Sequence, residues 1–168
     1  MTIILTDADI RRRLTRLAWQ LREANFDAPA LHLVGIDGGG GYRLAELLTA
    51  ELATAAPNVL LHLTRLTLDK ADPLRGAPIA LAPPIEAFGP APVVLVDDVL
   101  NSGRTLAYAL AEVLRRGAAR VQTVLLVDRQ HPAFPVAATF SGLTLATTDA
   151  EHVRVELPAG GEFGAWVE

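Results

Sequence analysis

Two adjacent carboxylates, Asp97 and Asp98, end an apolar run in the stretch VVLVDDVLNSGRT, Val93 to Thr105. Directly behind them stand Asn101, Ser102, Gly103, Arg104 and Thr105, and then a helical pattern begins. Acids at the tip of a strand can both face the crevice where open α/β sheets bind ligands. A turn into a helix presents backbone N–H groups with partial positive charge, which is a seat for an anion. Asn101, Ser102 and Thr105 add small donors around that seat, and Gly103 lets the backbone approach closely. Acceptors for sugar hydroxyls or a hydrated Mg²⁺, placed beside a cradle for a phosphate, suit a sugar phosphate. The plainer alternative is a strand that happens to end in two acids, with Ser102 capping the next helix. It leaves most of the thirteen-residue string unexplained.

Other chemistries fit less well. A P-loop needs Gly-Lys-Ser/Thr, and here the loop reads SGRT. The run DGGGG, Asp37 to Gly41, lacks the acid at a second strand tip that a dinucleotide fingerprint requires. The chain has no cysteine, which removes disulfides and thiolate metal sites. His32 and His62 fall on strand patterns, His131 in a loop beside Pro132, and His152 before the last strands. None has the helical spacing of a zinc motif.

The elements that must position these residues follow from periodicity. The length of 168 residues suits a single domain, 1–168, with a real core. Thr6 and Asp9 form a capping-box pair, and Ile10, Leu14, Leu17 and Leu21 recur on one helical face, with Trp19 roughly opposite. ALHLVGI (30–36) reads as a buried strand, and four glycines make DGGGG a loop. A helix over YRLAELLTAELATA and a strand over VLLHLTRLTL (59–68) come next. A long Pro- and Gly-rich stretch from Asp69 follows, whose APIALAPPIEA portion is a candidate edge hairpin. Then come the strand PVVLVDD, the helix TLAYALAEVLRRG, the strand ARVQTVLLVDR, and short strand candidates ATFSGLTLAT, HVRVEL and EFGAWVE. Strands alternating with helices imply an α/β fold with a mostly parallel sheet. The net charge of −4 argues against broad nucleic-acid binding. No apolar run is long enough to cross a membrane, and no secretory signal pattern opens the chain, so a cytoplasmic setting is expected.

The string VVLVDDVLNSGRT resembles the phosphoribosyl-pyrophosphate (PRPP) motif of type I phosphoribosyltransferases. Within that superfamily the chain is most similar to the PyrR-type pyrimidine operon attenuator/uracil phosphoribosyltransferase family. The early ADIRRRLTRLA helix, LVGI before the glycine loop, and LLVDRQH beside the family's LVDRGH agree with this order almost along the whole chain. The resemblance implies a central, mostly parallel sheet flanked by helices, with a flexible loop and a small hood. It implies transfer of 5-phosphoribosyl from PRPP to a nucleobase, uracil first, with Mg²⁺ accompanying PRPP and a homodimer or larger homo-oligomer as the assembly. Asp97 and Asp98 would hold the ribose hydroxyls, and Asn101 to Thr105 would wrap the 5′-phosphate. Asp37, Gly38, Gly39, Gly40 and Gly41 would form the pyrophosphate loop. Asp128, Arg129 and Gln130 would sit near the base-reading hood. Asp98 and Lys70 are the catalytic candidates, Lys70 through charge stabilisation after loop closure. Arg104 would face a ligand, a neighbouring subunit or a structural ion pair.

The chain departs from that pattern in three places. Where the family carries Arg or Lys with Thr in the pyrophosphate loop, this chain has DGGGG. Asp37 would repel a pyrophosphate unless a cation lies between them. The flexible-loop pattern Tyr-Arg-Asp-Asp is replaced by Asp69-Lys70-Ala71-Asp72, and Arg-Gly-His by Arg129-Gln130-His131. The ribose-phosphate half matches; the departures fall on the leaving group and the base. A second hypothesis is a non-catalytic sensor of PRPP or a nucleotide that regulates pyrimidine genes and binds RNA. Its basic clusters would be Arg11–Arg16 and Arg115–Arg116, which also read as solvated helix faces. A third is a phosphoribosyltransferase for another base.

Overall fold

The computed structural model describes residues 1–148 and 150–168. The chain opens with strand β1 (Thr2–Leu5) and helix α1 (Asp7–Ala24). The capping box expected at Thr6 and Asp9 is present, with Asp9 N–H donating to Thr6 Oγ1 at 3.2 Å and Thr6 N–H to Asp9 Oδ2 at 3.0 Å. Ile10, Leu14, Leu17 and Leu21 are all buried, and Trp19 is exposed, with Arg22 stacked over its ring. Then follow β2 (Ala30–Ile36), α2 (Gly41–Ala55), β3 (Leu60–Thr67), β4 (Ala80–Ala82), β5 (Val93–Leu100), α3 (Arg104–Arg115) and β6 (Val121–Asp128). The chain closes with β7 (Phe140–Thr144), β8 (Val153–Glu156) and β9 (Gly164–Val167).

The main sheet has the order β4-β3-β2-β5-β6-β7 and is parallel except at β4, which runs antiparallel to β3. Alternate strand residues supply two cores. On one face Leu31, Leu33, Val94, Val96, Val124 and Leu126 pack with α1 and α2. On the other, Val34, Ile36, Leu66, Leu95 and Leu125 pack with Leu106, Ala109 and Val113 of α3. Burial on both faces explains why the parallel strands read as nearly continuous apolar runs. Successive strands leave β2 toward β3 on one side and β5 toward β6 on the other. The switch point therefore lies between the C-terminal ends of β2 and β5, where α/β sheets open a ligand crevice.

A second sheet, β1-β9-β8, is antiparallel. Leu157, Phe163 and Ala165 from this end of the chain join the same core as α1. The structure corrects three sequence readings. TIIL, which the periodicity reading assigns to no element, is a strand, because it pairs with residues at the far end of the chain, Thr2 with Val167 and Ile3 with Trp166. APIALAPPIEA holds one edge strand, not a hairpin of its own, because Ala80–Ala82 pairs with β3. The acids do not end β5: pairing with β6 runs on to Leu100 opposite Asp128. Among the described residues no helix is long and apolar enough to cross a membrane.

Candidate functional site

The glycine loop leaves β2 and the acid pair sits on β5, so the switch point brings them together. Gly38, Gly39, Lys70, Asp97, Asp98 and the run Asn101–Thr105 border one cleft of about 240 Å³. Contact between loop and acids is intimate. Gly40 N–H donates to Asp98 Oδ2 at 2.7 Å, and the second oxygen of Asp98 accepts from Val99 N–H at 2.9 Å. Gly41, the first residue of α2, packs so closely on Asp97 that an added Cβ would lie 2.5 Å from Asp97 Oδ1.

Asp97 is almost completely buried, 5% exposed. Burial pushes its pKa well above the ordinary carboxylate range, and the adjacent Asp98 pushes in the same direction. Lys70 Nζ opposes this from 3.9 Å. The same ammonium lies over the glycine loop, 3.4 Å from where a Gly39 side chain would start. Lys70 is held there by the turn around it. Asp69 Oδ1 accepts from the N–H groups of Ala71 and Asp72, and Arg104 Nη1 reaches over to Ala71 O at 3.3 Å. Arg104 thus links the two loops on either side of the cleft.

Behind the acids the backbone forms the anticipated nest. Gly103 adopts φ +82°, which turns the chain into α3, and an added Cβ would meet Val136 at 2.5 Å. Ser102 Oγ accepts from Arg104 N–H at 3.3 Å, while Thr105 and Leu106 of the first helical turn border the cleft. Backbone donors, a helix N-terminus and small side chains are the parts from which anion sites are built.

Asp37 does not stand as an unbalanced charge in the glycine loop. Arg65 Nη1 lies 3.6 Å from its carboxylate and the guanidinium stacks on Tyr42 at 4.1 Å. This partner arises from the parallel register that sets Gly35 beside Arg65. A lone arginine near the end of a strand was the only sequence signal for it.

The residues expected at the base hood are placed differently from one another. Asp128 and Gln130 border a second cavity of about 260 Å³, which shares Leu100 and Asn101 with the main cleft. Gln130 has φ +55°, a conformation that glycine adopts at no steric cost, and its N–H donates to Asp128 Oδ1 at 2.9 Å. Arg129 does not border that cavity. Its guanidinium is buried against Asn101, Thr147 and the segment leading to β8, because those acceptors surround it. The antiparallel sheet β1-β9-β8, the small hood of this fold, contributes Val153 of β8 to the main cleft, a residue that sequence reasoning did not single out.

Among the described residues the two neighbouring carboxylates, one of them buried, have Lys70 at 3.9 Å as their ion-pair partner, a donor set whose charge suits a cation. Among the described residues no group of three His, Cys, Asp or Glu side chains converges on a metal position. A divalent ion here would need oxygens from a ligand to complete its shell.

Comparison with known proteins agrees with this geometry. The profile of the phosphoribosyl transferase domain matches residues 2–159. The bifunctional protein PyrR of Citrifermentans bemidjiense is 33% identical over 165 residues, covering 96% of this chain and 93% of that protein. The bifunctional protein PyrR of Syntrophobacter fumaroxidans is 37% identical over 160 residues, covering 92% and 86%. Among solved structures, the hypoxanthine phosphoribosyltransferase of Trypanosoma cruzi superposes with a TM-score of 0.73 at 20% identity, covering 87% of this chain and 82% of that one. A hypoxanthine phosphoribosyltransferase from Staphylococcus aureus gives 0.71 at 17% identity, covering 90% and 79%.

Proposed function

Since this chain belongs to the phosphoribosyl transferase domain family, we propose that it transfers the 5-phosphoribosyl group of PRPP to a nucleobase, uracil, and releases pyrophosphate. One observation carries the reading: the acid pair, the Asn101–Thr105 nest, Gly38 and Gly39 of the glycine loop and the sole lysine all border one cleft. The nest takes the 5′-phosphate, and Asp97 and Asp98 accept from the ribose hydroxyls. Backbone N–H groups of Gly38 and Gly39 face the pyrophosphate, with the negative charge of Asp37 balanced by Arg65.

In the reaction a ring nitrogen of the base, giving up its proton to solvent, forms a bond to ribose C1 as the bond to pyrophosphate breaks. Charge gathers on the leaving group and on the ribose ring, so the protein acts mainly by positioning and by electrostatic stabilisation. Mg²⁺ arriving with PRPP would be held near Asp97 and Asp98 and would offset the charge of the pyrophosphate. Lys70 faces Asp97 and the glycine loop, where its ammonium stabilises the departing pyrophosphate. Asp98 keeps the ribose in place and is the acid nearest to Gly40 of the loop. A cytoplasmic homodimer or larger assembly is the setting that the same resemblance implies.

Pyrophosphate release from PRPP and Mg²⁺ across a panel of bases tests the proposal. Release with uracil supports it, and release with another base corrects the acceptor. Binding of PRPP without release under any base favours the regulatory reading instead. For RNA, the basic clusters offer engaged arginines. Arg11 bonds Asp7, Arg16 bonds the carbonyls of Ser141 and Gly142, and Arg115 and Arg116 both bond Glu112. These pairings support the solvated or structural role of both clusters.

A further inference from the structure

Arg129 is a buried cation for which the reaction above has no direct use. It follows the last residue of β6 and is 7% exposed. Its backbone N–H donates to Leu100 O at 3.1 Å, just after the acid pair. The guanidinium then reaches two separate segments. Nη1 donates to Asn101 Oδ1 at 2.8 Å. Nε donates to Thr147 Oγ1 at 2.8 Å, and Nη2 to Thr148 O at 3.1 Å and to Glu151 O. The receiving turn is itself braced, because Glu151 Oε2 accepts from Thr148 N–H at 2.7 Å and from its hydroxyl at 2.9 Å. This turn leads directly into β8 of the hood, whose Val153 borders the cleft.

A guanidinium is a donor only. It therefore decides which end of the Asn101 amide faces it, namely the oxygen. The NH₂ group of Asn101 must point away from Arg129, and Asn101 borders the cleft beside the nest. An exposed asparagine without such a partner would sample both amide orientations and several rotamers, half of them presenting an acceptor to an anion. Resting on the phosphoribosyl reading, we infer that Arg129 is a positioning residue: it holds the Asn101 amide as a donor toward the 5′-phosphate and ties that loop to the hood. Phosphate binding and the placing of the hood are then coupled through one buried side chain.

Calorimetric titration of the full chain with ribose 5-phosphate, and separately with Mg²⁺-pyrophosphate, tests this. Asn101→Ala should weaken ribose 5-phosphate about tenfold or more, the scale of a hydrogen bond to a charged group. Arg129→Gln should weaken it by a similar factor, and Arg129→Lys should restore part of the loss. The double variant should be no worse than Asn101→Ala alone, since both changes remove the same contact. Pyrophosphate affinity should stay within about twofold, because that anion binds at the glycine loop. Additive losses, or a folded Arg129→Gln with unchanged affinity, overturn the inference. So does pyrophosphate weakening in step with ribose 5-phosphate, which marks general loosening.

If Arg129→Gln fails to fold, Asn101→Asp decides. It keeps an acceptor for Arg129 and replaces the donor with a negative charge. An unchanged melting temperature with ribose 5-phosphate binding lost supports the inference, and retained binding overturns it. Failure of the unaltered protein to bind ribose 5-phosphate would instead remove the phosphoribosyl reading itself.

Discussion

The glycine loop offers a graded test, because its glycines meet different surroundings. A methyl group at Gly39 would lie 3.4 Å from Lys70 Nζ and 3.5 Å from Asp98 Oδ2, which is ordinary contact. At Gly40 it would lie 2.7 Å from Asp98 Oδ2, the atom that already accepts the Gly40 N–H. At Gly41 it would lie 2.5 Å from both Asp97 Oδ1 and Ile36 O, and 3.0 Å from Asp97 Cα. Two of those three neighbours are backbone and cannot swing aside. Gly41→Ala must therefore shift the start of α2 by about 1 Å to recover a contact of roughly 3.5 Å. Overpacking of this kind costs about 1–3 kcal/mol. At roughly 2–4 °C per kcal/mol for a chain of this size, melting should fall by several degrees. Gly38→Ala has space but meets φ +84°, a left-handed strain of about 1–2 kcal/mol. Gly39→Ala should stay within about 0.5 kcal/mol of the parent. Gly40→Ala should displace the Asp98 carboxylate and weaken ribose 5-phosphate more than it lowers melting. Differential scanning calorimetry with titration of ribose 5-phosphate reads the series. Equal melting of Gly41→Ala and the parent, or equal damage from Gly39→Ala and Gly41→Ala, would refute the packing argument.

Three further outcomes are expected. Lys70→Ala should lower melting modestly above neutral pH, because it removes the charge facing the buried Asp97, and reduce pyrophosphate release roughly 100-fold, the scale of losing one charge-stabilising group; unchanged turnover removes Lys70 from the mechanism. Burial raises the pKa of Asp97 in the fold, so the folded state holds its proton more firmly than the unfolded one, and the carboxyl's contribution to stability falls as pH rises from the ordinary Asp range through the raised pKa. Asp97→Asn should consequently melt higher than the parent at pH 8, with the gap closing in acid, while losing ribose 5-phosphate affinity; parallel melting curves across pH would contradict this. For the Asp37–Arg65 pair, Arg65→Gln should weaken Mg²⁺-pyrophosphate binding by exposing Asp37, and Asp37→Asn in the same chain should recover it. Stability should change by less than about 1 kcal/mol in either variant, since the pair is partly exposed; calorimetry that shows no recovery in the double variant removes Arg65 as the balancing charge.

Different parts of this protein were legible to different degrees, for physical reasons. Helix α1 could be read because its apolar face and its cap are local, repeating at helical spacing within a few residues. The loop behind the acid pair could be read for the same reason: acids, small donors and Gly103 follow one another along thirteen residues. Strand β1 could not, because four residues, three of them apolar, carry no periodicity and its partner β9 lies at the other end of the chain. What Arg129 bonds could not be read from its place at the end of a strand. Its side chain instead follows its acceptors, which lie 28 residues before it at Asn101 and 18 residues after it at Thr147.

The sequence by itself determined that an α/β sheet carries two acids and a run of small donors before a helix in unbroken order, because local chemistry and strand periodicity need no distant partner. Only the tertiary structure decided what neutralises Asp37, what orients Asn101, and which faces of Asp97 and Asp98 meet the glycine loop. Those outcomes depend on strand register and on burial, which set neighbours that are remote along the chain. A one-residue shift between β2 and β3 would leave every motif intact and move Arg65 away from Asp37.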